Sequence, residues 1–250
     1  MKLHYRVDGP DGAPALVFSN SLGTTLEMWD AQADALAGAW RVVRYDQRGH
    51  GRSPVPPGPY TIDELGGDLL ELLDDLGLER VAFCGLSLGG VIGMWLGANA
   101  PARVERLVLC CTSAYFGAPE LWNERAATAR ASGPAVMVDA ILARWFGEGF
   151  RAERPDEVER IAEMLREMPG EGYAACCEAI RDWDFRDRLG EVRAPTLVVA
   201  GEHDPATPPT QAEVIAGGIP GARLSILDSA HLANIERADE VTRLISEHLA

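Results

Sequence analysis

The sequence predicts an α/β protein: a mostly parallel, twisted sheet with helices on both faces and a helical cap inserted between two strands. Three observations predict it. Short apolar runs alternate with helix-length stretches through the first half and again at the end, as when parallel strands are joined by crossover helices. From about residue 114 to 192 the strand-like runs stop and only helical spacing remains. The chain has 250 residues, 47% of them hydrophobic, enough for one large core carrying such an insertion.

Taken in order, residues 3–8, 15–19, 42–45, 81–84 and 106–111 read as strands. Residues 27–39, 61–76 and 88–100 read as the helices between the last four. The second of these helices has a marked start: Thr61 and Glu64 bracket a capping box, in which each residue's side chain satisfies the other's backbone amide. Residues 120–131, 134–145, 156–168 and 172–181 are helical and separated by glycine and proline breaks. The pattern then returns: strand 196–200, helix 209–216, strand 223–227, helix 238–249. The organisation expected is a core of residues 1–115 and 192–250 with a lid of 116–191. In open α/β sheets such a lid sits over the C-terminal strand edge, where ligands bind.

Composition excludes several classes. The net charge of −15 repels phosphate backbones and anionic bilayers, so neither nucleic acid nor membrane is expected as a partner. Lys2 is the sole lysine, which removes P-loop phosphate binding and pyridoxal Schiff-base chemistry. The uncharged run 81–102 is long enough to span a bilayer. Its glycines, Ser87, Asn99 and Pro101 instead divide it into a buried strand and a buried helix. The charged start lacks an apolar signal-peptide segment. The five cysteines include two adjacent pairs and no C-x-x-C spacing, which reads as buried thiols in a reducing cytoplasm.

The residues able to do chemistry cluster at predicted strand ends. Gly85-Leu86-Ser87-Leu88-Gly89 is a weak signal as a string, but here it closes a strand and opens a helix, the context a nucleophile elbow requires. Serine needs a base, and the base an orienting group. Among five histidines, His4 and His248 read as surface positions, His203 as a loop residue, and His50 as a brace for the elbow. His231 follows the last strand and falls at the same sheet edge as Ser87. Asp204 follows the preceding strand in Gly201-Glu202-His203-Asp204-Pro205, with Glu202 as its rival. The order Ser87, Asp204, His231 is that of α/β-hydrolases. Backbone donors for an oxyanion are expected from Leu88 and from Leu22, in the loop Asn20-Ser21-Leu22-Gly23-Thr24.

Further motifs carry a narrower resemblance. Ser19-Asn20-Ser21-Leu22-Gly23-Thr24, Met28-Trp29-Asp30, and the run from Arg44-Tyr45-Asp46 to Gly51-Arg52-Ser53 resemble the 3-oxoadipate enol-lactonases. So do Cys84-Gly85-Leu86-Ser87-Leu88-Gly89-Gly90, Arg144-Trp145-Phe146, Tyr173-Ala174-Ala175-Cys176-Cys177 and Ala230-His231-Leu232-Ala233-Asn234-Ile235-Glu236. The likeness spans nearly the whole chain, but the outer edge strand usual in the family is missing. It implies a cytoplasmic serine hydrolase that opens 3-oxoadipate enol-lactone to 3-oxoadipate in the protocatechuate branch of aromatic catabolism. No metal or organic cofactor is called for. The partner implied is a small anionic lactone, with the chain acting as a monomer or small homo-oligomer.

One tension accompanies that implication. The substrate carries a carboxylate, yet the chain is strongly anionic, so a local cation must overcome the long-range field. Arg144, beside Trp145, is the candidate, with both expected to touch substrate. The rival readings are a general esterase, a perhydrolase or a carbon–carbon bond hydrolase built on the same three residues, and a non-enzymatic small-molecule receptor.

Overall fold

A computed structural model describes residues 1–250. Seven strands form one sheet: β1 (Tyr5–Asp8), β2 (Ala15–Ser19), β3 (Arg41–Tyr45), β4 (Val81–Leu86), β5 (Val104–Cys110), β6 (Thr196–Gly201) and β7 (Arg223–Leu227). Their spatial order is β1-β3-β2-β4-β5-β6-β7. Only β1 runs antiparallel, against β3; every other pairing is parallel. The central strands β2, β4 and β6 are buried along their whole length, which explains why they read as unbroken apolar runs rather than alternating ones. Each expected strand is present, with ends shifted by a residue or two.

Helices α1 (Asp30–Leu36), α2 (Ile62–Asp75) and α3 (Leu88–Asn99) follow the early strands. The single helix expected over 27–39 is a 3₁₀ turn, Leu26–Trp29, continued by α1. At α2 the capping box forms: the Thr61 amide donates to Glu64 Oε2 (2.9 Å) and the Glu64 amide to Thr61 Oγ1 (3.2 Å). Between β5 and β6 lie α4 (Pro119–Ser132), α5 (Val138–Trp145), α6 (Glu148–Glu153), α7 (Pro155–Glu167) and α8 (Gly170–Arg181). Of these, α6 was not anticipated. The chain closes with α9 (Pro209–Gly218), a short α10 (Ala233–Glu236), also unanticipated, and α11 (Ala238–Leu249). No helix is long and apolar enough to cross a membrane.

The inserted helices share one apolar core with the sheet: Leu165, Tyr173 and Trp183 belong to the same buried cluster as Leu16, Phe83 and Leu107. The contact is direct where α8 meets the loop after β3. A methyl group on Gly172 would lie 2.1 Å from the Gly49 carbonyl oxygen, and one on Gly49 2.6 Å from the Gly172 Cα, so the two backbones touch directly. All five cysteines are buried and unpaired.

His248 corrects the sequence reading. It is buried, not on the surface, because it shares the inward stripe of α11 with Val241 and Ile245. Its Nδ1 lies 3.1 Å from Arg223 Nη2 and its Nε2 3.1 Å from the Pro195 carbonyl oxygen.

Candidate active site

The strand order places the site. From β2 the chain crosses to one side to form β3, then returns past β2 to form β4, so the loops leaving β2 and β4 diverge from adjacent strand ends. That is the switch point where open parallel sheets form a crevice. Ser19 is paired with Gly85 there, which brings the loop Asn20–Gly23 beside Ser87.

Ser87 sits at φ 55°, ψ −112°, a left-handed conformation that costs a side-chain-bearing residue roughly 1–3 kcal/mol and persists only where its surroundings fix it. Its amide donates to the Cys110 carbonyl (2.9 Å), and its own carbonyl accepts from Thr112 Oγ1 (2.7 Å). The flanking glycines are required by contact. A Cβ on Gly85 would lie 2.1 Å from the Gly89 carbonyl oxygen, and one on Gly89 2.2 Å from that of Ser19. The sharp turn thus presses α3 against β2 and lifts the serine hydroxyl above the sheet edge.

Two backbone amides near Ser87 are the candidates for holding an oxyanion. Leu88 occupies the first turn of α3, where amides have no intrahelical acceptor. The Leu22 amide makes no hydrogen bond within the protein, whereas its neighbours are engaged: Ser21 N with Met28 Sδ (3.3 Å) and Gly23 N with His50 Nε2 (2.9 Å). His50 therefore braces the Leu22 loop, not the elbow as the sequence suggested. Burial holds its imidazole down at about 4, so near neutral pH the ring is uncharged and Nε2 accepts. Asn20 locks the loop from beneath: its Nδ2 donates to the Tyr45 carbonyl (2.8 Å), while its own carbonyl accepts from Gly89 N (2.9 Å) and Gln47 Nε2 (2.7 Å).

Asp204 and His231 leave the ends of neighbouring strands β6 and β7. Asp204 Oδ2 lies 2.7 Å from His231 Nδ1 and accepts from Thr207 Oγ1 (2.5 Å). Its Oδ1 accepts from the amides of Ala206 (2.7 Å) and Thr207 (3.0 Å). Burial alone would raise this carboxyl, but the adjacent imidazole and these hydrogen bonds outweigh it and hold Asp204 below the usual carboxylate range. Its rival Glu202 is exposed, and His203 is tied at the surface to Asp228 (3.0 Å). Thr207 was not anticipated, although its place three residues after an aspartate is the spacing of a turn closed by that side chain.

Ser87, His231, Leu22, Trp145 and Arg144 line one cavity with Phe116, Trp122, Arg125, Ile141, Ile180 and Thr207. Ser87 Oγ and His231 Nε2 face this space without a hydrogen bond between them. Proton transfer requires them to close to about 3 Å, an approach that often tightens only around a substrate. Trp145 lies against the imidazole, with ring centroids 6.3 Å apart and planes at 29°, and its carbonyl accepts from the Leu232 amide (3.0 Å). Arg144 is exposed at the rim with no ion pair; burial of part of its side chain and the nearby Arg125 both lower its pKa. Arg125 escaped the sequence reading. Trp122 and Arg125, three residues apart on α4, were the available signal.

The arrangement can attack a carbonyl from Ser87, hold the resulting oxyanion on two amides, and shuttle a proton through an oriented imidazole. Comparison with known proteins bears on what it acts upon. Residues 14–238 match the family described as alpha/beta hydrolase fold. The chain is similar to 3-oxoadipate enol-lactonase 2 of Acinetobacter baylyi, with 39% identity covering 94% of this chain and 88% of that one. It is also similar to 3-oxoadipate enol-lactonase 1 of the same organism, at 37% identity, covering 98% and 91%. Among solved structures, the enol-lactonase from Burkholderia xenovorans superposes with a TM-score of 0.97 at 46% identity, covering 99% and 96% of the two chains.

Proposed function

Because the chain belongs to the α/β-hydrolase fold family, we propose that it is a serine hydrolase that opens 3-oxoadipate enol-lactone to 3-oxoadipate, in the protocatechuate branch of aromatic catabolism. The observation that carries the chemistry is the Ser87 elbow opening into the cavity that holds the Asp204-bound imidazole of His231. The identity with named enol-lactonases along nearly the full chain supports the substrate.

In this reading His231 Nε2 takes the Ser87 proton as Oγ attacks the lactone carbonyl, and the oxyanion rests on the Leu22 and Leu88 amides. Collapse breaks the ring C–O bond and expels an enolate, which accepts the proton from His231 and tautomerises to the ketone. The leaving group stays tethered because the ester is cyclic, so a single acyl-enzyme forms. His231 then deprotonates a water that attacks the acyl carbon, releasing one product and returning the proton to Ser87. Asp204 keeps Nδ1 protonated and steadies the imidazolium. Residues 116–191 act as the lid over this chemistry, excluding bulk water and supplying Trp145 to the imidazole face.

The test is whether the purified chain removes the ultraviolet absorbance of the enol-lactone, with kcat/KM compared against simple aryl acetates. A large preference for the acetates would defeat the lactonase reading in favour of a general esterase. Ser87→Ala separates catalysis from reception: a hydrolase loses several orders of magnitude in kcat, whereas a receptor keeps its output.

A further inference from the structure

We propose that Arg125 is the anchor for the substrate's free carboxylate and that Tyr173 is the residue that positions it. This deepens the lactonase reading and rests on it for the identity of the anion. Arg125 lines the cavity with Ser87 and His231. Its Nε donates to Tyr173 Oη (2.7 Å), and Nη2 donates to the same oxygen. The guanidinium also lies over two rings, 5.4 Å from the Trp122 centroid and 5.2 Å from that of Tyr173. One edge of the fork is thus fixed, and Nη1 has no protein acceptor.

No carboxylate neutralises this cation: Arg125 forms no ion pair, while its helix neighbour Arg130 holds both Glu171 and Glu178. Tyr173 does not discharge it either. Burial pushes that phenol up to about 12 and the nearby Cys177 thiol likewise to about 12, so both are neutral. A partly buried, preorganised guanidinium beside apolar walls (Phe116, Ile141, Ile180) is costly unless an anion joins it, and a planar fork suits a carboxylate. Arg144, the sequence candidate, differs on each count. It is exposed, no hydrogen bond orients it, and it stands at the rim, where a cation steers more than it holds.

The experiment reads charge selectivity: the ratio of kcat/KM for 4-nitrophenyl hemisuccinate to that for 4-nitrophenyl acetate, measured in the same preparation. A misfolded or weakened variant lowers both rates and leaves the ratio. Wild type is expected to prefer the anionic ester. Arg125→Met should lower the ratio at least tenfold, with Arg125→Lys restoring part of it and Arg144→Met lowering it less than Arg125→Met. Tyr173→Phe should raise KM for the anionic ester with little change in kcat. The proposal is overturned by a wild type without anion preference, by an Arg125→Met ratio within twofold of wild type, by a larger effect at Arg144, or by a Tyr173→Phe loss confined to kcat. Failure of the lactonase reading shows separately, as a wild type inactive on the enol-lactone while these ratios still report on Arg125.

Discussion

Replacing Asp204 by asparagine tests the geometry with the least disturbance of shape. Oδ1 accepts the Ala206 and Thr207 amides, and Oδ2 faces His231 Nδ1 and Thr207 Oγ1. An asparagine keeps its oxygen at the first position, since the opposite flip would orphan two buried amides at about 1–3 kcal/mol each. The NH2 group then points at Nδ1 and donates to it, which forces the imidazole proton onto Nε2, the atom that must accept from Ser87. A base locked in the wrong tautomer costs about 10⁴-fold in kcat in a serine protease with the same arrangement, or about 5.5 kcal/mol of transition-state stabilisation. Asp204 lines no part of the cavity, so KM should stay within about threefold. Stopped-flow absorbance on the enol-lactone gives both constants, and circular dichroism checks the fold. A folded Asp204→Asn protein that keeps more than a tenth of wild-type kcat would falsify the assignment of Asp204 as the group orienting His231.

Acid should weaken the fold through His50. Its folded value of about 4 lies below its ordinary 6.5, so the unfolded chain binds the proton first. The stabilisation is full above about 6.5 and lost as pH falls towards 4, by about 3 kcal/mol in all. Urea melts at pH 7 and pH 5 should therefore differ by about 2 kcal/mol, and less in His50→Gln; equal differences would refute this. Gly85→Ala drives a methyl to within 2.1 Å of the Gly89 carbonyl and should lower stability by about 1–3 kcal/mol while displacing Ser87; an unchanged melting temperature and kcat would contradict the packing argument. Added salt should raise kcat/KM for the anionic lactone by screening the net charge of −15, with no such rise for a neutral ester. A steep fall would mean that the cavity arginines dominate the approach.

The three residues proposed for catalysis were legible because each follows a strand, and a parallel sheet brings all its strand exits to one edge. The Leu22 loop was legible for the same reason. Arg125 was not: its meaning depends on Tyr173 arriving from another helix, a contact that no local spacing encodes. The burial of His248 is written in its spacing from Val241 and Ile245, which puts it on the inward face of α11. The short α6 offers too few apolar residues to show a period, and a 3₁₀ turn such as Leu26–Trp29 looks like the first turn of a helix until its hydrogen bonds are known.

The meeting of Gly49 and Gly172 binds two distant stretches of sequence to a common fate. Neither position tolerates a side chain while the other's backbone stays where it is, so the roof is not an interchangeable module. A lid taken from a cousin of different specificity would have to bring its own bare residue to that seam, or the host loop that carries His50 and aligns Leu22 would be pushed aside. Attempts to change substrate preference by swapping roofs should therefore begin at this junction, and work outward from it.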